Sequence, residues 1–392
     1  MTGKPVIPPE MIVAGTRLQV PPGVDVYIAS DLQYVEKIED FLKSSPDFTI
    51  YHTPKYLEAV ARHDAPSDLI LLASNGRPLV AFPCIRKGYQ LLSTGYSGLV
   101  FPDTAKESRL RASVSALGSF IAANPSVRFG FLQSLQSRAY QDPLRVAVID
   151  ALLTELPLAS PPLFSRSLNL LGVSLPSVDG DLSADDFENE LLHRYDPDTR
   201  NQIRKALRLG FRADYFLGDA GAIDRYHEIH RESWRRTGMK PMSRTHLKDL
   251  SAAVVAAGGQ DLIVLVSSAV GEVVAAVSVH VFGARAIYWG GCSTVAGLRA
   301  NANSLALHAA ITLSGGLGAA CFEIGWFEPQ TPNVKMAAIN RYKASFRGGI
   351  TRLVRYRSPD SRWHRLVDRG QAMRAGFERR WSRLRGITKF DE

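Results

Sequence analysis

Along the first 175 residues the apolar positions switch between helical and alternating spacing, and each switch marks an element. Val35, Ile38, Phe41 and Leu42 recur at helical spacing and predict a helix over about 31–43. Residues 54–62 predict a second helix, because proline suits a first helical turn. The apolar runs DLILLAS and PLVAFPCI flank Asn75-Gly76, a dipeptide that tolerates positive φ, so a tight hairpin is expected. A third run, 90–101, precedes a helix near 106–123, and VRFGFLQ (127–133) reads as a short strand. A helix near 144–156, the breaker-rich LASPPLF and the strand SRSLNLLG close this half.

The second half repeats that order. A basic helix (199–209) leads to a strand (211–216) and to helices at 220–237 and 244–257. DLIVLVSSAVGEVVAAVSVHVFGARAIYWGGCS then predicts three strands with a turn at Val270-Gly271-Glu272, followed by a helix (304–314) and the strand ACFEIGW. Both halves read helices, hairpin, third strand, helix, strand, which suggests duplication of one α/β unit. The acidic connector VDGDLSADDFENE (178–190) separates them. The division expected is 1–180, 181–350 and a basic C-terminal strand/helix segment, 351–392. Two units packed side by side, each with its own sheet, would put a cleft at or near their junction.

The chain has 392 residues, 45% hydrophobic and 22% charged, enough to bury two cores and unlike a disordered or collagen-like sequence. Three scattered cysteines make neither a disulfide framework nor a zinc site, and the N-terminus lacks a signal peptide's apolar stretch. A cytoplasmic location is expected. Residues 300–322 carry no formal charge, but Asn301, Asn303 and His308 argue for a buried helix rather than a membrane span. Of the net charge of +9, residues 1–190 contribute −5 and residues 191–392 contribute +14. That asymmetry suits either a polyanionic partner or an arginine-rich solvated surface.

Two constellations carry candidate chemistry. Arg200, Arg204 and Arg208 fall at i, i+4 and i+8 of the basic helix with Lys205 beside them. Three guanidinium groups in a row can grip phosphate, or they can form an exposed basic face. The second is the strand FEIGW followed by Asn333, Lys335 and the run NRYKASFRGG, which sets Tyr342 and Lys343 in a loop segment before Gly348-Gly349. A lysine there could stabilise an oxyanion or hold a phosphate. His227 and His230 are i, i+3, without a further ligand in register, and no metal site is expected.

YHTPKYLEAV, TRNQIRKALRLGFRADYF, IYWGGCS, ANANSLALHAAI, FEIGWFE and RYKASFRGG, taken in order, resemble the Fem family across nearly the whole chain. These are aminoacyl-tRNA-dependent transferases built from two acetyltransferase-like (GNAT) domains. The resemblance implies an α/β chain of two GNAT-like domains in tandem. It also implies transfer of an aminoacyl group from aminoacyl-tRNA onto a peptide or small-molecule amine, without a cofactor. Lys343, with Tyr342 beside it, would lie at the transfer centre, and Lys205, with Arg200 and Arg204, would meet phosphate. Tyr288, Trp289, Trp326 and Asn303 complete the implied substrate-binding set, on a monomer or weak dimer. Glu58 or Val60 stands at the basic position that cell-wall members carry after Tyr56, and Gly290 at their tyrosine, which points away from a UDP-muramyl peptide acceptor. Acyl-coenzyme A or an acyl-carrier thioester is the rival donor. The coenzyme A pyrophosphate loop corresponds to 299–304, where Ala302 stands for the glycine and Asn303 for the final small residue. A non-catalytic RNA-binding protein on the same fold is the other alternative.

Overall fold

The computed structural model describes residues 12–358 except 14–15, 30–34, 46, 88, 94–97, 105, 135–146, 150, 154–155, 157–167, 176–183 and 329–330, together with His364. In the first half a short hairpin of β1 (Ile12–Val13) and β2 (Thr16–Arg17) precedes β3 (Asp25–Ile28), α1 (Val35–Lys43) and α2 (Pro54–His63). The predicted hairpin follows as β4 (Ser67–Ser74) and β5 (Arg77–Lys87), then β6 (Gln90–Leu92), α3 (Glu107–Ala123), β7 (Arg128–Ser134) and β8 (Leu168–Ser174). Asn75 and Gly76 both have positive φ, 49° and 73°, as a two-residue turn between twisted strands requires. Within the helix expected near 144–156, residues 147–149 and 151–153 are helical, and the acidic connector lies largely outside the described residues.

The second half runs α4 (Ala184–Arg194), α5 (Pro197–Arg208), β9 (Arg212–Leu217), α6 (Ala220–Arg236), α7 (Arg244–Ala256), β10 (Gln260–Ser267), β11 (Val273–Phe282) and β12 (Arg285–Ser293). It continues with α8 (Val295–Arg299), α9 (Ala302–Gly316), β13 (Cys321–Phe327), α10 (Val334–Ala344) and β14 (Gly349–Arg357). The repeated element order is therefore real. The expectation of two separate sheets is not: one twelve-stranded sheet runs β3-β4-β5-β6-β7-β14-β8-β13-β12-β11-β10-β9 through both halves.

The reason is a reciprocal exchange at the centre. β14, which follows the second half's α10, pairs with β7 of the first half, and β8 pairs with β13 of the second. β8 and β14 also pair with each other, so the order reads as a pseudo-two-fold with each unit completing the other's sheet. No periodicity in a single strand signals which neighbour it will take.

Helices cover both faces, which is why β4 and β10 are apolar at nearly every position. In the second half Tyr226 and Leu247 of α6 and α7 pack on Ile263 and Leu265. Leu305 and Ala306 of α9 pack on the opposite face with Val264 and Val279. The halves also meet helix to helix. Tyr56 and Ala59 of α2 share one cluster with Leu250 and Val254 of α7, and His63 Nε2 lies 2.7 Å from Asp249. Among the described residues no helix is long and apolar enough to cross a membrane.

Candidate functional site

β12 and β13 are parallel partners only over 285–287 and 321–323, and beyond that they part. Arg285 and Glu323, both buried, form an ion pair at 3.2 Å at the closed end. Two irregularities shape the open end. The β11–β12 register passes from Val279↔Tyr288 to Ser278↔Gly290, leaving Trp289 as an extra residue. The pairing of β13 with β8 shifts across Ile324, where Gly325 has a φ of 87° that only glycine adopts without strain. Bulges of this kind bend a strand and re-aim its side chains.

Lys343 reaches this gap. Its Nζ donates to the carbonyl of Trp326 at 3.0 Å and lies 5.9 Å from the centre of the Tyr288 ring. Burial disfavours the ammonium and pushes the amine down to about 8. The phenol of Tyr288 lies along β12 above Gly291, where any Cβ would overlap it.

The lysine does not sit in the expected loop. It occupies the last turn of α10, whose start is capped by the Asn333 side chain accepting from the N–H groups of Lys335 and Met336. The end of α10 is tied to α5, since Thr199 Oγ1 donates to Ser345 Oγ at 2.6 Å and the Asp196 N–H to the Ser345 carbonyl. Tyr342, next in sequence, points elsewhere: its hydroxyl donates to the Asn303 carbonyl at 3.0 Å, joining α10 to α9. Burial first, and the neighbouring Tyr288, raise its phenol well above the usual value, so it is no base at neutral pH. Asn303 enters through its backbone.

Trp326 and Tyr288 thus stand with Lys343, whereas Trp289 turns to the opposite face. There it packs 5.8 Å from His280 and against the cluster that holds Tyr56, whose phenol feels the indole N–H. The basic stripe divides as well. Arg200 donates to the carbonyls of His193 and Tyr195, at 3.0 and 2.8 Å, satisfying groups left open at the end of α4. Its Nη1 is thereby committed to the end of α4. Arg204, Lys205 and Arg208 are exposed. Sequence reasoning gave no site role to Tyr56 or Gly291. No local pattern could have supplied one, because each matters through a residue that only folding brings near. Among the described residues no cluster of ligand-type side chains could hold a metal ion.

Residues 197–344 match the family model of an acetyltransferase (GNAT) domain. The crystal structure of FemX covers 85% of this chain and 98% of its own at 12% identity, with a TM-score of 0.64. The C-terminal domain of a protein from Agrobacterium fabrum, described as a lysylphosphatidylglycerol synthetase, aligns over 87% and 97% at 10% identity, with a TM-score of 0.52. A conserved Bacteroides thetaiotaomicron protein of unknown function aligns over 83% and 97% at 12% identity, also at 0.52. No curated protein matches the chain in sequence. Residues 197–344 therefore carry the fold of an acetyltransferase (GNAT) domain. The chain as a whole shares the fold of FemX, with the element order of one half repeated in the other.

Proposed function

We propose that the protein moves an aminoacyl group from an aminoacyl-tRNA onto an amine, forming an amide. The acceptor is a peptide, a cell-wall precursor or a small metabolite. The observation that carries this reading is Lys343, a partly desolvated amine held between Tyr288 and the Trp326 carbonyl where β12 and β13 part. The Fem resemblance supports the aminoacyl donor, as does the excess positive charge of the second half. In this reading Arg204 and Lys205 meet tRNA phosphates, and Trp326 and Tyr288 line the path of the acyl group. The units divide at 180/181, residues 351–392 form the basic C-terminal segment, and the reaction takes place in the cytoplasm.

The acceptor amine attacks the ester carbonyl, and charge develops on its oxygen. The ester C–O bond then breaks, and the proton lost by the amine ends on the departing ribose hydroxyl. No covalent intermediate with the protein is needed, so positioning and oxyanion stabilisation carry the rate. An amine that titrates near 8 is mostly ammonium at pH 7, and with one N–H on Trp326 it keeps two for the developing oxyanion. Tyr342 holds α10 against α9 and takes no proton.

Single-turnover kinetics with charged tRNA and a panel of amines test this. Lys343→Met should slow transfer about 10²–10³-fold with little change in donor affinity, because a ground-state carbonyl carries little charge. Near-parental rates in a folded mutant would remove Lys343 from the mechanism. Turnover with acyl-coenzyme A, and none with charged tRNA, would replace the donor.

A further inference from the structure

We propose that Tyr56, carried by the first unit, is a positioning residue for the transfer site of the second, acting through Trp289 and the β12 bulge on Tyr288 and Lys343. The effect on turnover rests on the function proposed above, whereas the chain of contacts does not.

Tyr56 lies in the first turn of α2, where the Thr53 side chain accepts its N–H. Its ring is buried edge-on to Tyr51 at 5.4 Å and 6.1 Å from His280, across the boundary between the units. Burial pushes its phenol up to about 12, and the indole N–H of Trp289 opposes that shift. Trp289, half-buried, packs against the cluster that holds Tyr56, and this packing ties it to the first unit.

Trp289 is also the one residue of β12 that the ladder with β11 leaves over. The surface beneath it sets polar groups among the core residues Ile223, Leu247 and Ile263. Tyr226, Asp261, Ser278 and His280 line a cavity of about 10 Å³, room for one water molecule. His280 Nδ1 is buried there without a hydrogen-bond partner, and His280 and Asp261, directly opposed on β11 and β10, are 3.5 Å apart. Tyr226 Oη stands 2.9 Å from where a side chain on Gly290 would begin. The bulge therefore rests on packing and on a few polar groups, and Tyr56 of the other unit reaches the same His280 ring.

Tyr288 precedes the bulge and faces the other way, forming one wall around the Lys343 amine. Any change in the path of β12 at Trp289 moves Tyr288 and admits water to the amine.

Competitive acetylation with isotopically labelled acetic anhydride, read by mass spectrometry across pH, gives the titration midpoint of each lysine without needing the natural substrates. Tyr56→Phe and Trp289→Phe should each raise the Lys343 midpoint by about half a unit or more toward that of an ordinary lysine. The double variant should go no further than the larger single change. Turnover should fall about tenfold in each, with the donor KM unchanged. Leu57→Ala, on α2 but packed in the first unit's own core, should leave the midpoint in place. An unmoved midpoint in folded Tyr56→Phe, or an equal movement in Leu57→Ala, would overturn the proposal. If the parent protein transfers no aminoacyl group, the functional reading fails while the midpoints still decide the role of Tyr56.

Discussion

Lys343 holds its charge where the fold leaves it little water, and this has a consequence for stability. Its amine titrates near 8 when folded and at the ordinary lysine value of 10.5 when unfolded. Between those values the unfolded chain binds more protons, so stability rises with pH through that window. Below pH 8 the ammonium is charged in both states and its burial is fully felt. Lys343→Met should therefore be more stable than the parent at pH 7, by about 1–3 kcal/mol, with the advantage shrinking toward pH 10. Thermal unfolding of both proteins at pH 7 and 9.5 measures this. An equal gain at both would mean that packing, not charge, is responsible. The type of this residue and its neighbours Trp326 and Tyr342 were legible in the chain. The direction of Tyr342 was not, since a helix turns adjacent side chains about 100° apart.

At the scale of elements, α5 separates a structural arginine from two candidate ligands. Arg200 faces the end of α4, while Arg204 and Lys205 face solvent. Arg200→Ala should cost about 1 kcal/mol of stability and leave tRNA affinity unchanged. Arg204→Gln with Lys205→Gln should weaken tRNA binding and lower the slope of log affinity against log salt by about 1–2. Anisotropy titrations at several salt concentrations measure that slope, and an unchanged slope would make the pair ordinary surface. α10 was not legible as a helix because its apolar residues form no stripe: Val334 is exposed, and Asn340 is the buried position.

At the scale of the molecule, exchange of β8 and β14 makes each unit's sheet depend on the other. The two halves should then unfold together. Urea unfolding followed by tryptophan fluorescence and by circular dichroism should give one coincident transition. Two separated transitions would mean that the units are stable alone and the exchange is incidental. The same coupling gives the first unit, which lies outside the matched domain at 197–344, a physical route through α2 to the strands that flank Lys343.

The spacing of apolar residues and the turn dipeptide Asn75-Gly76 determined the central strands and the long helices of each half, because those signals are local and depend on one chain segment at a time. Tertiary structure alone decided that the two sheets merge, that Arg200 serves a helix end, and that Trp289 and Tyr288 face opposite sides of β12. Strand exchange, bulges and contacts between distant segments follow from which surfaces meet after folding, and a pattern read along the chain carries no record of that meeting.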